Sequence, residues 1–211
     1  MAPYPIAAQA MSGLAAGLKS LAGGGQHGSV GRRLPVTLAV QVTDLAGNQV
    51  PDVVVFGRAT GGELDDTIHT SDAAGRALFR WTLGRSAGRQ EIEFRAAHLD
   101  TVLRVGARAL PLSPANIAVL NSPVSGVPGR AVPVSVLVSD EYGNPVPDVP
   151  ITFSVKSGAL SAARVMTDAQ GHAGSQWTPG PTLGDHVITA TVRGAGLKAT
   201  YAVTVAAGRR R

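Results

Sequence analysis

The chain has no cysteine in its 211 residues, which excludes disulfides and thiolate metal sites and leaves any core to hold by packing alone. The absence leaves the cellular compartment open, because thiol-free proteins occur on both sides of a membrane. No run of 18 apolar residues occurs, so no transmembrane helix is expected. Aromatic residues make up only 4%, which fits many thin strands better than a few thick elements. The motifs of common catalytic folds are missing: there is no GxSxG elbow, no GxxxxGK phosphate loop, and no GxGxxG after a strand. The five histidines, His27, His69, His98, His172 and His186, show no HxxxH pair. They read as surface residues and not as metal ligands.

What is present points to thin, half-buried strands. Hydrophobic residues reach 44%, with 26 Gly and 14 Pro to reverse the chain, and Val, Ala and Thr alternate in short runs. An all-β fold follows. The charge balance is basic, with a formal net charge of +5 and a pI of about 10.2. Three of those charges are Arg209, Arg210 and Arg211 at the C-terminal end, and the other Arg residues are interspersed with Asp and Glu. No basic stripe interleaved with aromatics is visible, so no nucleic-acid partner is expected. Residues 5–18 only weakly resemble a secretion signal: the first basic residue is Lys19, downstream of the cleavage-like triplet Ala8-Gln9-Ala10. They read as an irregular leader or the cut end of a longer protein.

A repeat organises the rest. From Val36 to about Ala96 the chain matches itself at one constant offset, the 96 residues that separate Trp81 from Trp177. Asp44, Gly47, Asn48, Val50, Pro51, Asp52 and Val53 recur as Asp140, Gly143, Asn144, Val146, Pro147, Asp148 and Val149; Asp72, Ala73, Gly75 and Ala77 recur as Asp168, Ala169, Gly171 and Ala173. Within each copy the period is two: Leu38, Val40 and Val42 share a face, as do Val134, Val136 and Val138. The same parity places Ala77, Phe79, Trp81 and Leu83 inward, and Ile92, Phe94 and Ala96 after them. The last strands are read from Leu99, Leu103, Val105 and Ala107, and from Leu197 to Val205. Asp-x-x-Gly motifs close the turns. The expected fold is two tandem immunoglobulin-like β-sandwiches of about seven strands each. The boundaries are an irregular leader at 1–15, a first domain at 16–110, a second at 111–207 and a basic tail at 208–211.

The pattern V-x-V-x-D-x-x-G-N-x-V-P-x-V, then G-x-L, then T/S-D-x-x-G-x-A-x-x-x-W-T-x-G and G-x-x-x-I, resembles the bacterial Ig-like domain (Big-1) of the intimin and invasin family. Gly25-Gln26, Val30-Gly31 and Leu34-Pro35 resemble that family's first strand and its approach to the second. Two departures stand out: Gly57 where the second copy has Phe153, and Gln49 where it has Pro145. They suggest different packing or a bulge in the first copy's third strand. The resemblance implies a rigid spacer or presentation stalk of a surface or secreted adhesin, outside the cell or at its outer membrane. The partners it implies are neighbouring Ig-like repeats, an adhesive tip domain, or a host or cell-surface protein or glycan. The alternatives are a carbohydrate- or protein-binding module and an accessory β-domain of a secreted enzyme.

No catalytic, cofactor-binding or metal residue is expected, and no cofactor. Asp44, Asp72, Asp140 and Asp168 are the best candidates for weak calcium binding, but each reads as the cap of its own turn. Glu63, Asp65 and Asp66 cluster in the first copy only and read as solvated surface. Trp81 and Trp177 suit a sugar-stacking platform by residue type, yet their parity makes them core anchors. Gly23 to Gly25 reads as a flexible lead-in to a strand.

Overall fold

The computed structural model describes residues 13–120 and 124–208. The chain divides into two compact units, Met1–Leu110 and Pro111–Arg211. The triplet at 8–10 and the three terminal arginines lie outside the described residues.

In the first unit, β1 (Gly17–Ala22), β3 (Leu38–Thr43) and β7 (Arg76–Phe79) form one sheet. The facing sheet has the order β2 (His27–Ser29), β10 (Leu103–Leu110), β9 (Gly88–Ala96), β4 (Val54–Ala59) and β6 (Ile68–Thr70). A short ribbon joins β5 (Glu63–Leu64) to β8 (Trp81–Thr82). The second unit repeats the plan. Its smaller sheet is β11 (Asn116–Val119), β13 (Val132–Ser139), β17 (His172–Thr178) and β15 (Ala159–Leu160). Its larger sheet is β12 (Val124–Gly126), β19 (Lys198–Val205), β18 (Gly184–Val192), β14 (Pro150–Val155) and β16 (Arg164–Met166). Among the described residues every element is a strand.

The strands outnumber the seven expected in each unit, in part because of the short strands β5, β8 and β15 and in part because the opening strand of each unit is split. Its first part pairs antiparallel in the small sheet, β1 with β3 and β11 with β13. Its second part crosses to the other sheet and pairs parallel with the last strand, β2 with β10 and β12 with β19. In the first unit Gly23 to Gly25 make this crossing, so the glycine run is an ordered turn and not a flexible lead-in. A Cβ on Gly23, which sits at φ +82, would meet Leu38 Cα and Thr37 O at 2.9 Å. Gln26 fastens the crossing by donating to the Gly23 and Val36 carbonyls and accepting the Val36 N–H. Leu99, read from sequence as part of the last strand, lies in the turn before β10.

The alternating positions fill both cores. Leu38, Val40, Val42, Ile92, Phe94, Trp81 and Phe79 are buried in the first unit; Val134, Val136, Val138, Ile188, Ala190, Trp177 and Tyr201 are buried in the second. Burial of this apolar surface, at about 25 cal/mol per Å² removed from water, is the main stabilising contribution in a chain without disulfides. Gly57 does not bulge its strand, because Val55, Gly57 and Ala59 stay in continuous register with Ala96, Phe94 and Ile92. The packing does change. A Cβ on Gly57 would approach Leu64 Cδ1 at 2.7 Å and Phe94 Cε1 at 3.0 Å, and the Phe79 and Phe94 rings pack with centroids 4.8 Å apart, tilted by 52°. At the 96-residue offset the trio Gly57, Phe79, Phe94 becomes Phe153, Ser175, Ala190. One unit fills the space from two strands and the other from the third.

Candidate functional site

Trp81 and Trp177 are sealed in the cores at 1% and 0% exposure. Each indole N–H donates to a backbone carbonyl, Trp81 to Gly61 and Trp177 to Ser157, at 2.9 Å in both cases. The acceptors are themselves 96 residues apart. The next residue, Gly62 or Gly158, has positive φ, and a Cβ there would stand 2.0 Å from Thr82 O or 2.4 Å from Thr178 O. Glycine is required where the loop folds onto the tryptophan strand. Neither ring is available to stack on a sugar.

The four aspartates close their turns. Asp44 Oδ1 accepts the N–H groups of Ala46 and Asn48, while Oδ2 accepts Asn48 Nδ2 and the N–H of Gly13. Asp140 repeats this with Tyr142, Asn144 and the N–H of Leu112 at 3.0 Å. Asp72 and Asp168 each accept two turn amides, from Ala74 and Arg76 and from Gln170 and His172. The donors set the acidity. The Gly13 N–H, followed by the Asn48 side chain, lowers the Asp44 carboxyl to about 2. Burial pushes Asp140 up, but the Asn144 side chain and the Leu112, Asn144 and Tyr142 amides outweigh it and hold it below the usual range. The Arg76 N–H, helped by its guanidinium, lowers Asp72. Carboxylates surrounded by N–H donors present the wrong dipoles to a cation, which needs several oxygens turned toward one point.

Among the described residues no three His, Asp or Glu side chains converge on a metal-sized space. His69 packs its edge on Phe79, and His186 lies 5.4 Å from Trp177 with its Nε2 at 3.0 Å from Thr182 O. His172 stands beside Asp168 at 3.9 Å. His98 occupies a left-handed turn, and His27 is exposed on β2. Asp65 pairs with Arg33 at 2.8 Å. With Asp66, His69, Leu78 and Arg80 it lines a shallow cleft of about 310 Å³. A larger, mostly apolar cleft of about 540 Å³ at one end of the first unit is lined by residues including Leu14, Val50, Asp52, Val54 and His98.

Two further devices lie beyond the reading of the sequence. Ser71 and Thr167 are buried hydroxyls that clasp the Val-Pro-Asp-Val loops. Ser71 accepts the Val53 N–H and donates to the Val50 carbonyl; Thr167 accepts from Val149 and donates to Val146. The clasps hold Asp52 and Asp148 at φ 59 and 58, a left-handed conformation that costs a non-glycine residue free energy. The recurrence of a hydroxyl residue before Asp72 and Asp168 was the available signal. The second device is a charged sheet face: Arg58, Arg89, Arg95, Arg104 and Arg108 all stand on the outer surface of the first unit's five-stranded sheet.

Two sandwiches in series, each with a sealed tryptophan, clasped turns and a first strand shared between sheets, define a tandem immunoglobulin-like repeat module. Residues 122–206 match the family model for the bacterial Ig-like domain (group 1). The inverse autotransporter adhesin YeeJ of Escherichia coli (strain K12) is 30% identical over 149 residues, covering 68% of this chain and 6% of that protein. The chain thus spans a small fraction of the curated relative it matches. The solved structure of InvD from Yersinia pseudotuberculosis superposes with a TM-score of 0.61 at 18% identity, covering 86% of this chain and 55% of that one, and shows the shared fold. The chain therefore carries a bacterial Ig-like domain (group 1) over residues 122–206 and is similar in sequence to an adhesin. It is an adhesin-type structural repeat, and that family is one of Ig-like domains and not of enzymes.

Proposed function

We propose that the chain acts as a stiff spacer in a surface-exposed or secreted adhesin, holding a more distal binding element away from the cell. In this reading it has no catalytic, cofactor or metal site, and its own partners are neighbouring Ig-like repeats. The observation that carries the proposal is the repeated aspartate clasp on the segment that leads into each sandwich. The Gly13 N–H is held by Asp44, and the Leu112 N–H by Asp140. A leading segment bonded to its own sandwich loses the backbone freedom that makes an ordinary linker flexible. At Asp44 and Asp140 both carboxylate oxygens accept N–H groups, which serves this mechanical purpose.

The absence of cysteine allows two labels to be placed cleanly, at Ser86→Cys and Ala195→Cys, both exposed positions. Spin-label distance measurements should give a narrow distribution. Leu112→Pro, which removes the donated N–H without touching the Asp140 turn, should broaden it. A distribution already broad in the parent chain would refute the spacer reading.

A further inference from the structure

The two units have the same fold, yet the outer faces of their five-stranded sheets differ in chemistry. In the first unit the face carries Arg58, Arg89, Arg95, Arg104 and Arg108, all exposed. At the 96-residue offset the same positions in the second unit are Ser154, Asp185, Thr191, Thr200 and Thr204. The fold therefore does not require arginine there.

Strand register places these side chains in rows. Arg95 stands beside Phe56, Arg58 and Arg104 flank Glu93, and Arg89 stands beside Arg108, with His27 next on β2. Outward residues repeat about every 7 Å along a strand and neighbouring strands lie about 5 Å apart, so the guanidiniums cover a flat strip about 20 Å long. The two acids on the strip are already engaged, Glu91 by Arg89 and Glu93 by Arg104. Arg58, Arg95 and Arg108 have no ion pair among the described residues. Gly106, between the rows, has no side chain, and the Arg89 guanidinium lies over it, with Nη2 at 3.9 Å from where a Cβ would stand.

We propose that this face of the first unit binds an anionic polysaccharide, with the sulfates of a sulfated glycan chain laid along the strands and held by Arg58, Arg95 and Arg108. Guanidinium groups bind such oxyanions through paired N–H donors, and a strip of them matches a polymer that carries charge at every repeat. Single-stranded nucleic acid fits the face less well, because sheets that bind it present several aromatic rings for base stacking. Here the strip offers only Phe56 at one end and His27 at the other among the described residues, too far apart to stack successive bases. Duplex recognition uses a helix or strand pair inserted in a groove, which a flat sheet face does not offer. This proposal is independent of the spacer reading and survives or fails without it.

The test uses the whole chain and heparin-derived oligosaccharide as the probe, with affinity measured by calorimetry and by the salt needed for elution from a heparin column. Arg58→Ser, Arg95→Thr and Arg108→Thr combined, each the second unit's own residue, should weaken binding at least tenfold while leaving the melting temperature nearly unchanged. A control removing three charges elsewhere, Arg32→Thr, Arg80→Thr and Arg130→Thr, should stay within about twofold of the parent. The charge-preserving triple change to Lys should weaken binding severalfold, because the paired donors are lost. The Arg209 to Arg211 tail is kept throughout, so its contribution cancels. Equal losses in the face and control variants, or none in the face variant, would overturn the proposal. So would duplex DNA bound as tightly as the oligosaccharide at the same salt.

Discussion

Single residues settle two questions in this molecule. Trp177 joins packing to hydrogen bonding, since its ring is fully buried and its N–H satisfies the Ser157 carbonyl. Trp177→Ala should cost about 3–5 kcal/mol through the cavity it leaves, a large share of the stability of a domain this size. Denaturant titration should then show the second unit unfolding early while the first, with Trp81 intact, is little affected. Native tryptophan emission in the parent should be blue-shifted and resistant to aqueous quenchers, whereas emission typical of solvated indole would place the ring outside. The turn aspartates make a prediction about pH. Asp44 titrates at about 2 in the folded chain against an ordinary value of 3.8, and Asp140 is also lowered. A depressed carboxylate stabilises the folded state fully above its unfolded pKa, and the contribution is lost as pH falls through the folded value. Urea midpoints should therefore drop between about pH 4 and pH 2, and Asp44→Asn with Asp140→Asn should flatten that slope. An unchanged slope in the double variant would mean that other groups govern acid unfolding.

At the scale of strands, the exchange of Gly57, Phe79, Phe94 for Phe153, Ser175, Ala190 is a test of how far the two cores are interchangeable. Gly57→Phe alone would drive a ring into Leu64 and Phe94, an overpacking that typically costs about 1–3 kcal/mol. Adding Phe79→Ser and Phe94→Ala should recover most of that loss, a non-additivity expected of residues sharing one space. If the triple variant is as unstable as the sum of its single changes, the backbones differ more than their register implies. Much at this scale was legible beforehand. The constant offset and the period-two alternation located the central strands, the tryptophans and the aspartate turns, because each leaves a local mark on the chain. The splitting of the opening strand left no such mark: β2 and β12 are three residues each and form by pairing with the last strand, a contact across most of the domain. The arginine face was invisible for a related reason. Its members lie on three strands, and in sequence they alternate with buried residues and with Glu, so they looked interspersed until register set them side by side.

For the whole molecule, each unit holds its own sheets and core, so autonomy is expected. Residues 111–211 expressed alone should give a β-type far-UV spectrum and one cooperative thermal transition. A disordered fragment would show that the second sandwich depends on the first.

The split opening strand has a mechanical consequence. β2 runs parallel to β10, with the Arg108 N–H bonded to the Gln26 carbonyl and the Val30 N–H to the Leu110 carbonyl. β12 runs parallel to β19, with the Ala206 N–H bonded to the Gly126 carbonyl. Tension applied to the two ends of a unit pulls these adjacent strands in opposite directions along their length. Their hydrogen bonds are then strained in shear and must give way together, whereas bonds pulled from one end of a hairpin would open one at a time. A short patch of parallel pairing thus makes each sandwich resist being drawn out along the direction in which a tethered chain is stretched.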